Sequence, residues 1–524
     1  MDSLKLTFPS FQSGQEFITE TEPKEIEDWL NQLAYVETDK TLNELTRVIS
    51  TLNRCPQKLA HREKNLALLN EGYLTLSRHM REQHDRHKAF VNKQQYKALH
   101  KLSTEMAFGY KRLIDELTQQ KFLMRKSRLA EAINSAQHYL GLMLIEQYQL
   151  YEPIPSYIWR ELHSLYQYAE KSGLQDKNLS KEEPNPLQPC QTIRQSYVRN
   201  CLMSVVDPYH IEDNHHWHLF KYLAHWSKLA EVTKNLSLFS STRCFVIDLS
   251  DSNKPHIAQD DSEYDDEDQI RLLLTNALLK NIESQVQEYE SKHQLPSPGF
   301  YDGIEASNAI KLLNRIYEYC DTYKDREHSR YPLMTQVDTV WGLGAIKKAL
   351  GYEADGENII DSSDKLNSLV GEKYKTPFNW LAVNHSEGGI CLRNHHKQAD
   401  DLRIGNLVIL KRHINKKRQK QWQLAIARWL QTGARNGTSI GLEYIHGSME
   451  FVEYLTTNRQ GRTISHEVLL VRPFDQSSPI LLTAKNLIGG NKVIQIKMQE
   501  QLRQLTLTHL IETNSKVSVF GARF

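Results

Sequence analysis

Five residues in the carboxy-terminal half are of types that can grip an anionic, planar ligand. They are Arg326 and Arg330, four positions apart in R-E-H-S-R, and Asn384, Ser386 and Gly389 in N-H-S-E-G-G. An arginine forks two parallel N–H groups onto a phosphate or a base edge and also stacks on a base face, which a lysine cannot combine. Asn384 and Ser386 offer short polar contacts, and Gly389 permits a positive φ or a close backbone approach. Each piece also has an ordinary structural explanation. The arginines can form a solvated turn that caps the preceding helix and pairs with Asp325 or Glu327. N-H-S-E-G-G lies between the apolar runs Trp380-Leu-Ala-Val383 and Ile390-Cys-Leu392, where a plain strand-to-strand turn would read the same way.

The elements that must position these residues are spread over a long chain. Its 524 residues exceed what one core usually supports, so two to four units are expected. Lys plus Arg number 65 against 64 for Asp plus Glu, which leaves no global field to draw in nucleic acid or an anionic membrane. An anionic ligand must therefore be held locally. No apolar run approaches the ~20 residues of a membrane span, and the amino-terminal stretch lacks a signal pattern, so a cytoplasmic protein without membrane insertion is expected. Six scattered cysteines without a CxxC pair read as reduced thiols.

Residues 24–235 are rich in helix formers, with apolar residues returning every three or four positions, as in Ile26, Trp29, Leu30 and Leu33, or Leu129, Ile133 and Leu140. Tyr151-Glu-Pro-Ile-Pro-Ser156 breaks the longest pattern, with Pro155 where a new helix can start. The polar stretch 171–189 reads as a loop. Histidines 210, 215, 216, 218 and 225 invite a metal reading, but no HExxH frame accompanies them, and exposed histidines at a loop-to-helix junction are the expectation. A short β-type run follows at 243–249, then the acidic tract 259–268, which lacks the glycine and closing glutamate of an EF-hand and is expected as a solvated loop or helix start. Residues 269–292 and 305–323 read as helices.

Beyond residue 325 the character turns to β. Leu402–Leu410, Trp422–Leu430 and Ser439–Ile445 carry strand-type residues separated by polar turns, which suggests a small barrel. The basic run 411–420 reads as a solvated hairpin tip in preference to a nucleic-acid site. W-G-L-G-A-I-K-K at 341–348 lacks both Walker and Rossmann spacing and reads as a glycine-opened helix inserted at the site. The chain is thus expected to be multidomain α+β: an irregular α-helical domain (1–235), a mixed connector with a short strand, acidic loop and helices (236–325), an antiparallel β-barrel (326–460) and a further β-rich section (461–524).

An RxxxR element, then [D/N]xSxxG, then strands such as Ala425-Ile-Ala-Arg-Trp429 and Ile440-Gly-Leu-Glu-Tyr444, together resemble the PilZ domain, a bacterial receptor for cyclic di-GMP. The layout of a long helical part before such a unit is similar to FimW-type PilZ effectors of bacteria that move by type IV pili. The resemblance covers about residues 320–460. It implies cyclic di-GMP as the ligand, no catalytic or metal residues, no cofactor, and Arg326, Arg330, Asn384, Ser386 and Gly389 as the binding set. It further implies a nucleotide-driven change of conformation that regulates a protein partner through the helical domain. A degenerate PilZ scaffold that binds proteins without nucleotide is the alternative, motivated by asparagine at 384 and by the 54 positions between Arg330 and Asn384.

Overall fold

The computed structural model describes residues 4–12, 21–87, 93–120, 122–180, 187–212, 215–238, 244–257, 267–295, 298–300, 304–321, 329–351, 378–395, 399, 401–414, 417–418, 421–433, 437–457, 460, 462–475, 477–489, 493–499, 501–514 and 516–524. Arg326 and most of the acidic tract lie outside the described residues. The chain is a multidomain α+β protein that divides into two compact units, residues 1–208 with 214–324, and residues 209–213 with 325–524.

The first unit begins with helices α1 (Pro23–Leu30), α2 (Thr38–Arg54), α3 (Leu59–His87), α4 (Lys93–Thr118), α5 (Phe122–Gln149), α6 (Ser156–Lys171), α7 (Ile193–Val205) and α8 (His215–Trp226). From Leu129 to Leu150 most of α5 is sealed from solvent, so its polar side chains must find partners inside the protein. They do so on the neighbouring loops and helices. Asn134 Nδ2 donates to Cys190 O at 2.7 Å and Gln137 Nε2 donates to Leu162 O at 2.8 Å. The helix stops at Tyr151, whose φ of 55° is left-handed, and α6 restarts behind Pro155 in the N-cap position. Thr192 caps α7 by accepting from Gln195 N at 3.1 Å. A buried ion pair joins α4 to α6, with Lys111 Nζ 2.7 Å from Glu161 Oε2.

A small antiparallel sheet completes this unit, with strand order β1 (Glu231–Thr233), β4 (Ile270–Leu274), β2 (Cys244–Asp248), β3 (His256–Ile257), followed by α9 (Asn276–Lys292) and α10 (Ala306–Asp321). Two expectations are corrected here. The helix expected over 269–292 opens instead as β4, because Ile270, Leu272 and the β-type run Cys244–Val246 bury one another across the sheet and override the local pattern. The histidines expected to be exposed are interior: His216, His218 and His225 are all buried in α8, and His216 Nε2 lies 2.8 Å from Pro208 O. Among the described residues no group of three or more His, Cys, Asp or Glu could hold a metal ion. No described helix is long and apolar enough to cross a membrane.

The second unit is built from two antiparallel barrels. The first uses β6 (Gln336–Trp341), β7 (Phe378–His385), β8 (Gly389–Asn394), β9 (Leu407–Ile414), β11 (Gln423–Thr432) and β12 (Thr438–Ile445). It closes because β6 pairs with both β7 and β9. The short strands β5 (Tyr331–Pro332) and β10 (Lys417–Arg418) extend β7 and β9. The second barrel closes in the order β13 (Ser448–Thr457), β14 (Thr463–Arg472), β15 (Ile480–Ala484), β18 (Val517–Arg523), β17 (Gln501–Thr513), β16 (Val493–Met498). Its first strand thus runs through a stretch expected to belong to the first barrel.

The barrels share one apolar seam. Ile346, Leu407, Ile409 and Leu424 of the first pack with Leu469, Val471, Leu482, Val517 and Val519 of the second. Fully burying such aliphatics contributes roughly 1.5–3 kcal/mol each before entropy is counted, so the seam is a true core. Ile346 belongs to α11 (Leu343–Ala349), which opens on Gly342 at φ 88°, a backbone region glycine enters without strain. The glycine-opened helix is therefore present, but it fills the seam between the barrels and Lys347 ties it to Glu467 of β14.

Candidate functional site

N-H-S-E-G-G forms the tip of the β7–β8 hairpin. Asn384 stands opposite Cys391 and His385 opposite Ile390, and Ser386 N donates to Gly389 O at 2.8 Å, which leaves Glu387 and Gly388 as a two-residue loop. A bulge at Val383 precedes the tip, a device that bends a strand and re-aims the side chains after it. The tip is anchored from the neighbouring strand, where Tyr444 N donates to Gly388 O at 2.9 Å.

Strand β5 pairs with β7 in the register Tyr331 to His385 and Pro332 to Asn384. Continuing that antiparallel register by one residue sets Arg330 opposite Ser386. Arg330 is exposed, and its positive charge reaches the hairpin: burial pushes the Cys391 thiol up, while Arg393 and Arg330 pull it down. The fold thus brings Arg330, Asn384, Ser386 and Gly389 to one end of the first barrel, although 54 positions separate the first two. The intervening chain includes β6 and α11, and β6 is a required stave of the barrel.

Of the two uses open to Gly389, a positive φ or a close backbone approach, the structure shows the second. It is not among the positive-φ glycines, and a Cβ there would lie 2.3 Å from Leu442 O on β12. The residue keeps β8 close to β12. Gly441 likewise makes room for Trp429, whose indole nitrogen would sit 1.8 Å from a Cβ at 441. Gly441 thus links the I-G and R-W elements, since it is the register partner of Trp429 across β11 and β12. The Trp429 ring also meets His210, 6.3 Å away between centroids.

Two residues that motif reading missed stand beside the tip. Tyr331, 60% exposed, follows Arg330 directly, and its ring centroid is 6.1 Å from that of His385. Aromatic faces next to an arginine suit the stacking of a base. The available signal was the adjacency of Tyr331 to the RxxxR element. By contrast, Arg393 Nε donates to Ser439 Oγ at 3.2 Å, along the sheet.

A closed six-stranded barrel that carries an arginine-led strand and an N-x-S-x-x-G hairpin at one end belongs to the PilZ class. Two family models sharpen this: "Cyclic-di-GMP receptor FimW, N-terminal domain" matches residues 24–236, and "Cyclic-di-GMP receptor FimW, middle PilZ domain" matches residues 352–448. The chain belongs to the FimW family of PilZ-domain proteins, a family of receptors and not of enzymes. The cyclic-di-GMP receptor FimW of Pseudomonas aeruginosa is 21% identical over 500 residues, covering 84% of this chain and 80% of that protein. No solved structure matches the chain.

Proposed function

We propose that this protein is a cyclic di-GMP receptor whose nucleotide site is the end of the first barrel bearing Arg330 and the 384–389 hairpin, with Arg326 as the second guanidinium. What supports the reading is the β5–β7 register, Tyr331 to His385 and Pro332 to Asn384, since one further step of it would set a permanently charged, planar donor opposite Ser386. Cyclic di-GMP presents two phosphodiesters and two guanines. Arg330 suits either, Asn384 and Ser386 supply short polar groups for a guanine edge, and Tyr331 offers a face for stacking. Asparagine at 384 keeps an acceptor but not the charge of an aspartate. In this reading the nucleotide draws the 326–330 segment onto the barrel, and the change is relayed to a protein partner that docks on the helical unit, in type IV pilus or surface-motility signalling within the cytoplasm.

Calorimetry on the full chain tests it. The wild type is expected to bind cyclic di-GMP saturably, and Arg330→Ala and Arg326→Ala each to weaken binding by about ten- to a hundredfold, the loss of one charge-assisted hydrogen bond of ~1.5–3 kcal/mol. Absence of saturable binding at tens of micromolar nucleotide would overturn the reading, and partner capture that ignores nucleotide would then favour a protein-only PilZ scaffold.

A further inference from the structure

The family matches stop at residue 448, so they say nothing of the second barrel. The contacts at its border do. In β11, Ala427 pairs with Leu442 and Trp429 with Gly441, which leaves Arg428 as the extra residue of a β-bulge. A bulge turns a side chain out of the alternation that the strand would otherwise impose. Arg428 uses that freedom to reach two carboxylates at once. Its Nη1 and Nη2 donate to Glu512 Oε1 and Oε2 of β17 at 2.6 and 2.8 Å, and its Nε donates to Glu443 of β12. Glu512 itself follows a bulge in β17, between Leu510 and Glu512, so both strands depart from regular pairing where they meet.

Glu443 is the register partner of Gly389 in the N-x-S-x-x-G hairpin. The next residue, Tyr444, holds Gly388 through its backbone N–H. An unbroken set of contacts therefore runs from Glu512 in the second barrel, through Arg428 and Glu443, to the hairpin tip. A second support lies alongside. Asn514 Nδ2 donates to Gly405 O at 3.4 Å, and Gly405 N and Asn406 O in turn bond Ala427 beside the bulge at 2.8 and 2.9 Å. A bidentate arginine–carboxylate pair fixes orientation as well as distance, which is what a positioning contact needs.

We propose that Arg428 is a positioning residue for the hairpin site and that the second barrel, through Glu512, is a working part of the receptor and not an independent module. The affinity half of this proposal rests on the nucleotide reading of the site; the structural half does not. Glu512→Gln and Arg428→Met leave the apolar seam intact, and a thermal melt confirms that each variant folds. Hydrogen exchange on the full chain without nucleotide then reads the amides of Ser386 and Tyr444, the two that bond at the hairpin tip. The expected result is exchange about tenfold faster at both amides in either variant, with Glu512→Asp restoring much of the protection. The double variant should add little to either single one. With nucleotide present, each variant should bind cyclic di-GMP about five- to tenfold more weakly than the wild type. Faster exchange confined to β17 and β18, with Ser386 and Tyr444 unchanged, would overturn the proposal and leave Arg428 as a simple clamp between barrels. A wild type that fails to bind nucleotide, with both amides still loosened in the variants, would overturn the nucleotide reading while supporting the coupling.

Discussion

Substituting Gly389 by alanine separates two roles for this residue, because ligand approach and strand approach predict different first symptoms. A Cβ at 389 would stand 2.3 Å from Leu442 O, and the obstacle is backbone, which cannot rotate away. Reaching even a tight 3.0 Å contact requires β8 and β12 to part by roughly 0.7 Å, against an ordinary strand spacing of about 4.8 Å. That displacement stretches the Gly389–Glu443 and Ile390–Leu442 pairs together. Overpacking of this kind costs about 1–3 kcal/mol, and the entropy gained by replacing glycine returns only about 0.4–1 kcal/mol. The net loss is therefore expected near 1–2 kcal/mol. It should appear without any nucleotide, as a lower urea midpoint for the barrel unit and as faster amide exchange along β8 and β12. Nucleotide affinity should fall as a consequence. A Gly389→Ala protein with wild-type stability and exchange but lost nucleotide binding would refute this reasoning and return Gly389 to a ligand-contact role.

The helical unit carries its own expectations. His138 Nε2 donates to Leu187 O at 3.0 Å and its Nδ1 accepts from Arg199, so the ring is held neutral, and burial and the Arg199 charge keep it well below the usual histidine range. Above about pH 6.5 neither folded nor unfolded chain protonates this ring, and its contribution is fully present. As pH falls through that value the unfolded state alone takes the proton, so stability should drop by up to about 1.4 kcal/mol per pH unit until the lower folded value is reached. Urea titrations from pH 7.5 to 5 check this, with His138→Asn flattening the slope and His163, also held low by burial, leaving a residue of it. Lys111→Met should destabilise the unit by about 3–5 kcal/mol, because it strands the buried Glu161 carboxylate. Adding Glu161→Gln should recover part of that loss in the same melt, since an amide oxygen can still accept from Thr7 N.

Much of the architecture was legible from local pattern. The helical first half, the break at Tyr151–Ser156, the strands at 423–432 and 438–445 and the turn at 384–389 all follow from periodicity and turn residues. These are short-range signals, set within a few residues by which face must be apolar and which backbone angles are allowed. Long-range pairing carried the corrections. Nothing within Ile270–Leu274 breaks a helix, and only the sheet with β2 makes it a strand. The histidines of α8 look solvated by type, yet the surrounding helices enclose them.

Side-chain pattern alone marks this chain as helical first and β-stranded later, and marks the arginines and the N-x-S-x-x-G turn as chemically able to hold an anionic, base-bearing ligand. Tertiary pairing was needed to bring β5, with Arg330 just before it, alongside the β7 end of the hairpin, to set Gly389 against Leu442 of β12, and to place α11 in a seam between barrels. It also revealed the second barrel and the Arg428–Glu512 contact behind the hairpin. The reason is physical: side-chain type is local, whereas register, closure and bulges depend on which distant strand supplies the partner for each backbone N–H and C=O.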